Sequence, residues 1–449
     1  MLARALFVIS TAVSAVGLAS CKSAVDHGAG RPGLTIVSGN AQTSFAGETL
    51  ASPLVVRLGD ASGQPAGGAT IGWQVLGGGS GSASSSVTDA EGLASITLTL
   101  GVVEGVAQEV RARMLLPGPH SSSPPSDVTF AATITPTANA ATALTWTAEQ
   151  LPTIPSCAAQ WSDIWAASAT DVFAVGGCGA IRHFSGASWE AQSSGTNHTL
   201  AAVWGKSSTD VSAVGDSATV LHYDGATWSE VPGLPLGWVN AVWGSQTGDL
   251  FVVTRDSVVK GHVWRHNDAG WTVQFNRMCA MSAIWGSSSS DIFAVGVGLP
   301  VRYDGTSWTG GAGGGCTPLA GFYDVSGGGP GEIYAVGDEI DYSNCTRGGG
   351  CATPAVVVQY DGTYWQRRLT LQQHLFLGVW VGSDSEVVVV GWSGLIIHGD
   401  GTHWRLEPSG TSATIIAVTG NVPTSLWALT SDGLLLHGTR GTTPSGRVR

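Results

Sequence analysis

Between residues 200 and 228 the chain reads LAAVWGKSSTDVSAVGDSATVLHYDGATW, four short apolar runs separated by polar or glycine-bearing turns. The pattern predicts four strands: A at the Val-Trp-Gly run, B from the following acid, C before Asp-Gly, and D around the last Trp. The phrase recurs with a period near 40. Its anchor falls at Trp165, Trp204, Trp243, Trp285, Ser326, Trp380 and Thr419, with spacings of 39, 39, 42, 41, 54 and 39. Six residues beyond each anchor stands Asp171, Asp210, Asp249, Asp291, Glu332, Glu386 or Ser425. Asp-Gly at 224–225, 304–305, 361–362 and 400–401 reads as a hairpin signal in which both central residues take positive φ.

Seven four-stranded units in tandem describe an all-β fold, a seven-bladed β-propeller spanning 143–440. Six units end in an outer-strand Trp: Trp189, Trp228, Trp271, Trp308, Trp365 and Trp404. The seventh ends LLLHGTRGTTPSGRVR and has none. Upstream of the first unit, TALTWTAEQLP carries the missing copy as Trp146. The N-terminal side is therefore expected to supply the outer strand of the last blade, closing the ring and covering an open edge. The unit repeats resemble the AVWGSSPSDVFAVGDGGTILHYDG-type repeats of exported bacterial proteins, a likeness that specifies fold and not ligand.

Residues 34–136 alternate differently. Val56/Leu58 and Ile96/Leu98/Leu100 each bury one face, and Gly/Asp/Pro turns separate the strands, as in a β-sandwich. The phrases LVVRLGDASGQPAGGATIGWQV and VTDAEGLASITLTLG resemble bacterial Ig-like domains of the intimin/invasin group. That resemblance implies a spacer or adhesive stalk. Residues 22–33 read as a tether, 137–142 as a linker and 441–449 as a flexible tail.

Residues 1–21 are laid out as a secretory signal: Arg4, an apolar run too short for a comfortable membrane span, then small residues. Leu18-Ala19-Ser20-Cys21 resembles the bacterial lipobox, which implies lipidation of Cys21. Lys22, where Asp would signal inner-membrane retention, points to the outer membrane; plain secretion is the alternative. Contact with the membrane is then expected through the lipid alone.

Composition narrows the chemistry. A net charge of −12 argues against nucleic acid, whose phosphates call for Lys and Arg. Beyond Cys21 there are six cysteines, Cys157, Cys178, Cys279, Cys316, Cys345 and Cys351, which in an oxidising compartment suggest three disulfides. All map to B–C turns or D-to-A crossovers, which share one face of a propeller. Topology favours Cys157–Cys178, Cys279–Cys316 and Cys345–Cys351 among about fifteen possible pairings. No spacing supports a zinc site.

The largest insertion, GDEIDYSNCTRGGGCATP at 337–354, offers candidate ligand-loop residues Asp338, Glu339, Asp341, Tyr342, Asn344 and Arg347. Asp338, Glu339, Asp341 and Asn344 have oxygens suited to calcium, but no fixed ligand order; a solvated acidic loop is the plainer reading, with no cofactor. His183, His222, His266, His398 and His437 fill one slot of strand C, with Arg302 and Gln359 elsewhere. One per blade, they cannot converge on a metal. They are assigned with the strand-B acids to structure, similar to the Asp/His network of WD-repeat propellers, and the anchor Trp residues to blade packing.

No enzyme motif survives. Gly215-Asp216-Ser217 is a repeat turn, the sialidase Asp-box is absent, and no carboxylate pair stands out for acid/base work. The chain reads as a monomeric, non-enzymatic, envelope-anchored binding or adhesion protein with a protein or glycan ligand. Two alternatives stay open: an exported hydrolase or lyase with its site in the propeller mouth, and an envelope assembly scaffold.

Overall fold

The computed structural model describes residues 32–115, 127–135, 144–152, 160–235, 237–255, 260–277, 279–310, 320–329, 331–340, 353–382, 386–422 and 425–440. Among the described residues, every regular element longer than one helical turn is a strand. No described helix is long and apolar enough to cross a membrane.

Seven sheets follow the A-B-C-D meander expected from the repeat. In unit 2 the strands are Leu200–Ser207, Asp210–Gly215, Val220–Tyr223 and Trp228–Glu230, each antiparallel to the one before. Strand A of each unit contacts strand A of the next, and Ile415–Val422 of unit 7 contacts Trp161–Ser168 of unit 1, so the sheets form a closed circle. Strand B is buried on both faces because sheets flank it, as in Asp210–Gly215, whereas strand D of the same unit is open to solvent. In unit 7 the outermost strand is Leu144–Gln150, antiparallel to Leu434–Arg440 with Trp146 opposite Gly438. Leu144 is buried there among Val388, Val390 and Leu436.

Packing between units explains the Val-Trp-Gly run. The Trp of one unit lies over the Gly of the next: Trp165 on Gly205, Trp204 on Gly244, Trp243 on Gly286, Trp285 on Gly327, Trp380 on Gly420. A Cβ on Gly286 would stand 2.7 Å from the Trp243 ring, far inside van der Waals contact. Where the anchor is Ser326 or Thr419, the following unit carries Val381 or Ala166 in place of glycine. Trp and Gly thus serve two different neighbours.

The Asp-Gly turns differ from the expected two-residue form. Only the glycine takes positive φ, 93° at Gly225, and Asp224 is absent from the left-handed residues. Instead the Asp224 carboxylate accepts the N–H groups of Ala226 and Thr227 at 2.9 and 2.8 Å. Asp304, Asp361 and Asp400 repeat this. The aspartate is selected for its side-chain acceptor, not for tolerance of a strained backbone.

The described residues between 33 and 134 form a three-stranded and a five-stranded sheet around one core, Leu34, Val56, Leu58 and Ile96 facing Ile71, Trp73, Val110 and Phe130, with the short pair Ser80–Gly81 and Leu98–Thr99 beside them. This unit is seated on the ring. Val103–Glu104 adds a parallel fifth strand to Trp404–Glu407 of unit 6. Val103 is fully buried with Leu369, Leu371, Phe376 and Trp404, and Gly78 lies against the Thr370 carbonyl of unit 5. The sequence reading joined the two parts by a linker alone; segment 101–106 makes a second, packed junction.

Candidate functional site

Three regions of the ring carry polar chemistry: its axis, the face of the A–B turns, and the face of the B–C turns and D-to-A crossovers.

At the axis, each strand A has a β-bulge before the residue two ahead of the anchor. That residue is Ala202, Ala241, Ala283, Gly378 or Ala417 in five units, and Asp163 or Asp324 in the other two. Asp163 accepts the N–H groups of Ile164 (2.8 Å) and Val203 (2.9 Å), the latter on the next unit. Asp324 accepts those of Val325 (2.8 Å) and Val379 (2.9 Å) in the same way. Burial pushes the Asp163 carboxyl up to about 7, aided by the Asp324 charge across the ring, and burial pushes Asp324 up to about 6. Sequence reading missed this pair because the two acids are 161 residues apart and lie within apolar runs. Both oxygens of each carboxylate bond backbone amides of adjoining units, so the pair acts as two clasps between units.

On the A–B face, strand-B acids meet strand-C bases. His183 Nε2 lies 2.9 Å from Asp171, His222 Nε2 3.0 Å from Asp210, and Arg302 Nε donates to Asp291 at 2.8 Å. In unit 3 the slot belongs to Arg265, which donates to Asp249 at 2.9 Å. His266, assigned to that slot from sequence, is one position further along, opposite Leu250. The shift arises because strand C of unit 3 is longer, which blurs the phase of the repeat. In unit 6, His398 lies 2.8 Å from Glu386 and 3.3 Å from Glu407, all three buried. Burial alone would lower the His398 pKa, but the two glutamates outweigh it and raise it. Arg440, on the last strand of unit 7, pairs with the same Glu386.

The B–C face holds Cys178 and Cys279. Cys21, Cys157, Cys316, Cys345 and Cys351 lie outside the described residues. Cys178 takes a left-handed conformation, φ 56°, as do Ser217 and Ser393 at the same turn of units 2 and 6. Of the insertion candidates, Asp338 accepts the Tyr323 hydroxyl at 3.2 Å and Glu339 pairs with Arg367. Asp341, Tyr342, Asn344 and Arg347 lie outside the described residues. Among the described residues no group of three or more His, Cys, Asp or Glu is placed to hold a metal. Large apolar side chains are exposed on this face: Trp238 (52 %), Leu299 (55 %) and Trp392 (52 %). The Arg255 guanidinium lies over the Trp238 ring, 4.1 Å from its centroid.

No protein-family model matches the sequence, and no curated protein matches it. Solved structures do. The chain is similar to "YCF48 bound to D1 peptide", with a TM-score of 0.50 and 18% identity over 66% of this chain and 97% of that one. It is also similar to YCF48 from Cyanidioschyzon merolae (TM-score 0.46, 15% identity, 65% and 98% covered). A third is the WD40 β-propeller domain of Doa1 (TM-score 0.47, 12% identity, 66% and 98% covered). At such identities the likeness is one of fold, and the fold of the ring is a β-propeller.

Proposed function

We propose that the chain is a non-enzymatic recognition protein whose propeller binds a polypeptide ligand through the face of B–C turns and D-to-A crossovers. The observation that carries this reading is the exposure of Trp238, Leu299 and Trp392 on that one face, with Arg255 over Trp238. Aromatic and arginine side chains are the usual anchors of protein interfaces. The solved propeller of YCF48 is bound to a D1 peptide, which fits a ring used in this way.

The finer architecture belongs to the same proposal. The seven sheets are read as seven blades closed by Leu144–Gln150, and the N-terminal sandwich as a bacterial Ig-like spacer. Cys21 would carry the lipid that holds the protein at the outer membrane, membrane contact being confined to that anchor. Disulfides Cys157–Cys178, Cys279–Cys316 and Cys345–Cys351 would stiffen the binding loops, each worth about 2–4 kcal/mol. The protein acts as a monomer without cofactor.

The test is binding of the mature chain to peptide and glycan arrays, repeated with Trp238→Ala and Trp392→Ala. Peptide binding weakened at least tenfold by either substitution is expected. Retention of glycans alone, or peptide binding indifferent to both substitutions, would overturn the reading.

A further inference from the structure

The repeat places an apolar or aromatic side chain two residues after each strand-B acid or its counterpart Ser425: Phe173, Phe251, Phe293, Tyr334, Val388 and Trp427. In unit 2 that position is Ser212. The consequence is visible by comparing units 1 and 2. Phe173 stacks on His183 with ring centroids 4.0 Å apart and planes at 11°. Trp427 does the same to His437, at 4.0 Å and 6°. The face of His222 has no such cover, although its bond to Asp210 matches that of His183 to Asp171. The side chains of His222 and Asp210 are 40% and 46% exposed, against 18% and 26% for His183 and Asp171.

A cavity of about 300 Å³ occupies this place, lined by Trp204, Lys206, Asp210, Ser212, His222 and His266 among others. Phe173 is surrounded by Trp165, His183, Tyr223 and Trp228, with centroids 4.0 to 6.2 Å from its own. The register makes Trp204, His222, His266 and Trp271 their counterparts around Ser212. Three of those four line the cavity. It is the vacated seat of an aromatic ring, at the lower end of the range for ligand sites, about 300–1,000 Å³.

We infer that this seat, between units 2 and 3 on the A–B face, binds an aromatic side chain of a partner polypeptide, with tyrosine the best fit. The ring takes the position that Phe173 holds in unit 1, stacked on His222 and edged by Trp204. The phenolic hydroxyl meets a polar wall of Lys206, Asp210 and His266, which a phenylalanine would leave unanswered. The inference rests on the polypeptide-binding reading above but uses the opposite face of the ring.

The test uses N-acetyl-L-tyrosinamide as probe on the full mature chain, followed by NMR titration, with N-acetyl-L-alaninamide and N-acetylglucosamine as controls. Saturable binding of the tyrosinamide alone is expected. Ser212→Phe, which fills the seat from within, should weaken it at least tenfold. Ser212→Leu plugs the space without a ring and serves if the phenylalanine variant does not fold. Hydrogen exchange on the parent protein should show probe protection at 204–212 and 220–223. Preference for the sugar, no saturable binding, or binding untouched by both plugging variants would overturn the inference. Array peptides that still bind Ser212→Phe would leave the facial reading standing without the seat; tyrosinamide binding without any array peptide would do the reverse.

Discussion

Asp163 on one unit accepts a hydrogen bond from the backbone N–H of Val203 on the next, at 2.9 Å, and Asp324 repeats the bond to Val379. Both carboxyls are held above their ordinary range, at about 7 and about 6, chiefly by burial. Between pH 4 and 7 the folded ring therefore binds protons that the unfolded chain has released, and these two groups lower stability as pH rises. Asp163→Ala/Asp324→Ala gives the pair the residue found at this position in four other units. Its melting temperature should gain on that of the parent steadily from pH 4 to 7. Melting curves that run parallel across that range would show that neither carboxyl titrates there.

The Trp243–Gly286 contact makes a second prediction. Gly286→Ala places a methyl group against the indole and should cost about 1–3 kcal/mol by overpacking. Trp243→Thr/Gly286→Ala reproduces the Thr419/Ala166 combination already present in the ring. The double variant should be more stable than the sum of the single losses implies, which a double-mutant cycle by denaturant unfolding measures.

Closure by Leu144–Gln150 predicts a loss of about 2–5 kcal/mol for Leu144→Ala, a buried leucine in the core of units 6 and 7. Removing residues 144–150 should lower the melting temperature further. A synthetic peptide of residues 142–152 should restore part of it by refilling the edge beside Leu434–Arg440. Indifference to both the deletion and the peptide would mean that the strand adds nothing to the ring.

The two glutamates around His398 are expected to behave oppositely to the axial acids, and His398 itself in the same sense. Its pKa in the folded chain is raised, and those of Glu386 and Glu407 are lowered by His398, Arg440 and Arg405 against the effect of burial. The network's stabilisation is therefore full between the ordinary glutamate and histidine ranges. It fades below that window as the glutamates protonate, and above it as His398 loses its proton. His398→Ala leaves two buried carboxylates without their shared partner and should cost about 3–5 kcal/mol at neutral pH. Thermal unfolding from pH 4 to 9 reads both the loss and the window.

What could be read from the sequence was whatever repeats. Asp210, Trp204 and the Asp-Gly pair mark the strand boundaries of their units because each occupies a fixed phase of the phrase. Relations that cross between units leave no such mark. Gly286 answers to Trp243, 43 residues upstream, although it sits beside Trp285 in the sequence. Val103 belongs to the text of the sandwich yet is buried in the rim of the ring, and nothing in GVVEGVA distinguishes that from an ordinary strand end. Departures from the phrase were visible and easily dismissed as drift. Asp163 and Ser212 are such departures, and each alters the chemistry of the ring where it stands.

The pairing of Thr147 with His437 spans 290 residues. At about 5–20 residues per second of synthesis, the outermost strand of the last unit is made roughly 15 to 60 seconds before the strand it must join. The first six sheets have every strand to hand as the chain emerges, whereas the seventh waits for Leu434–Arg440. A nascent chain stopped short of Leu434 has an unpaired strand at 144–150 and an unfinished sheet at the other end. Closure of the ring is thus reported by the pairing of Leu434–Arg440 with Leu144–Gln150, and a chain stopped short of it exposes the two edges that this pairing joins.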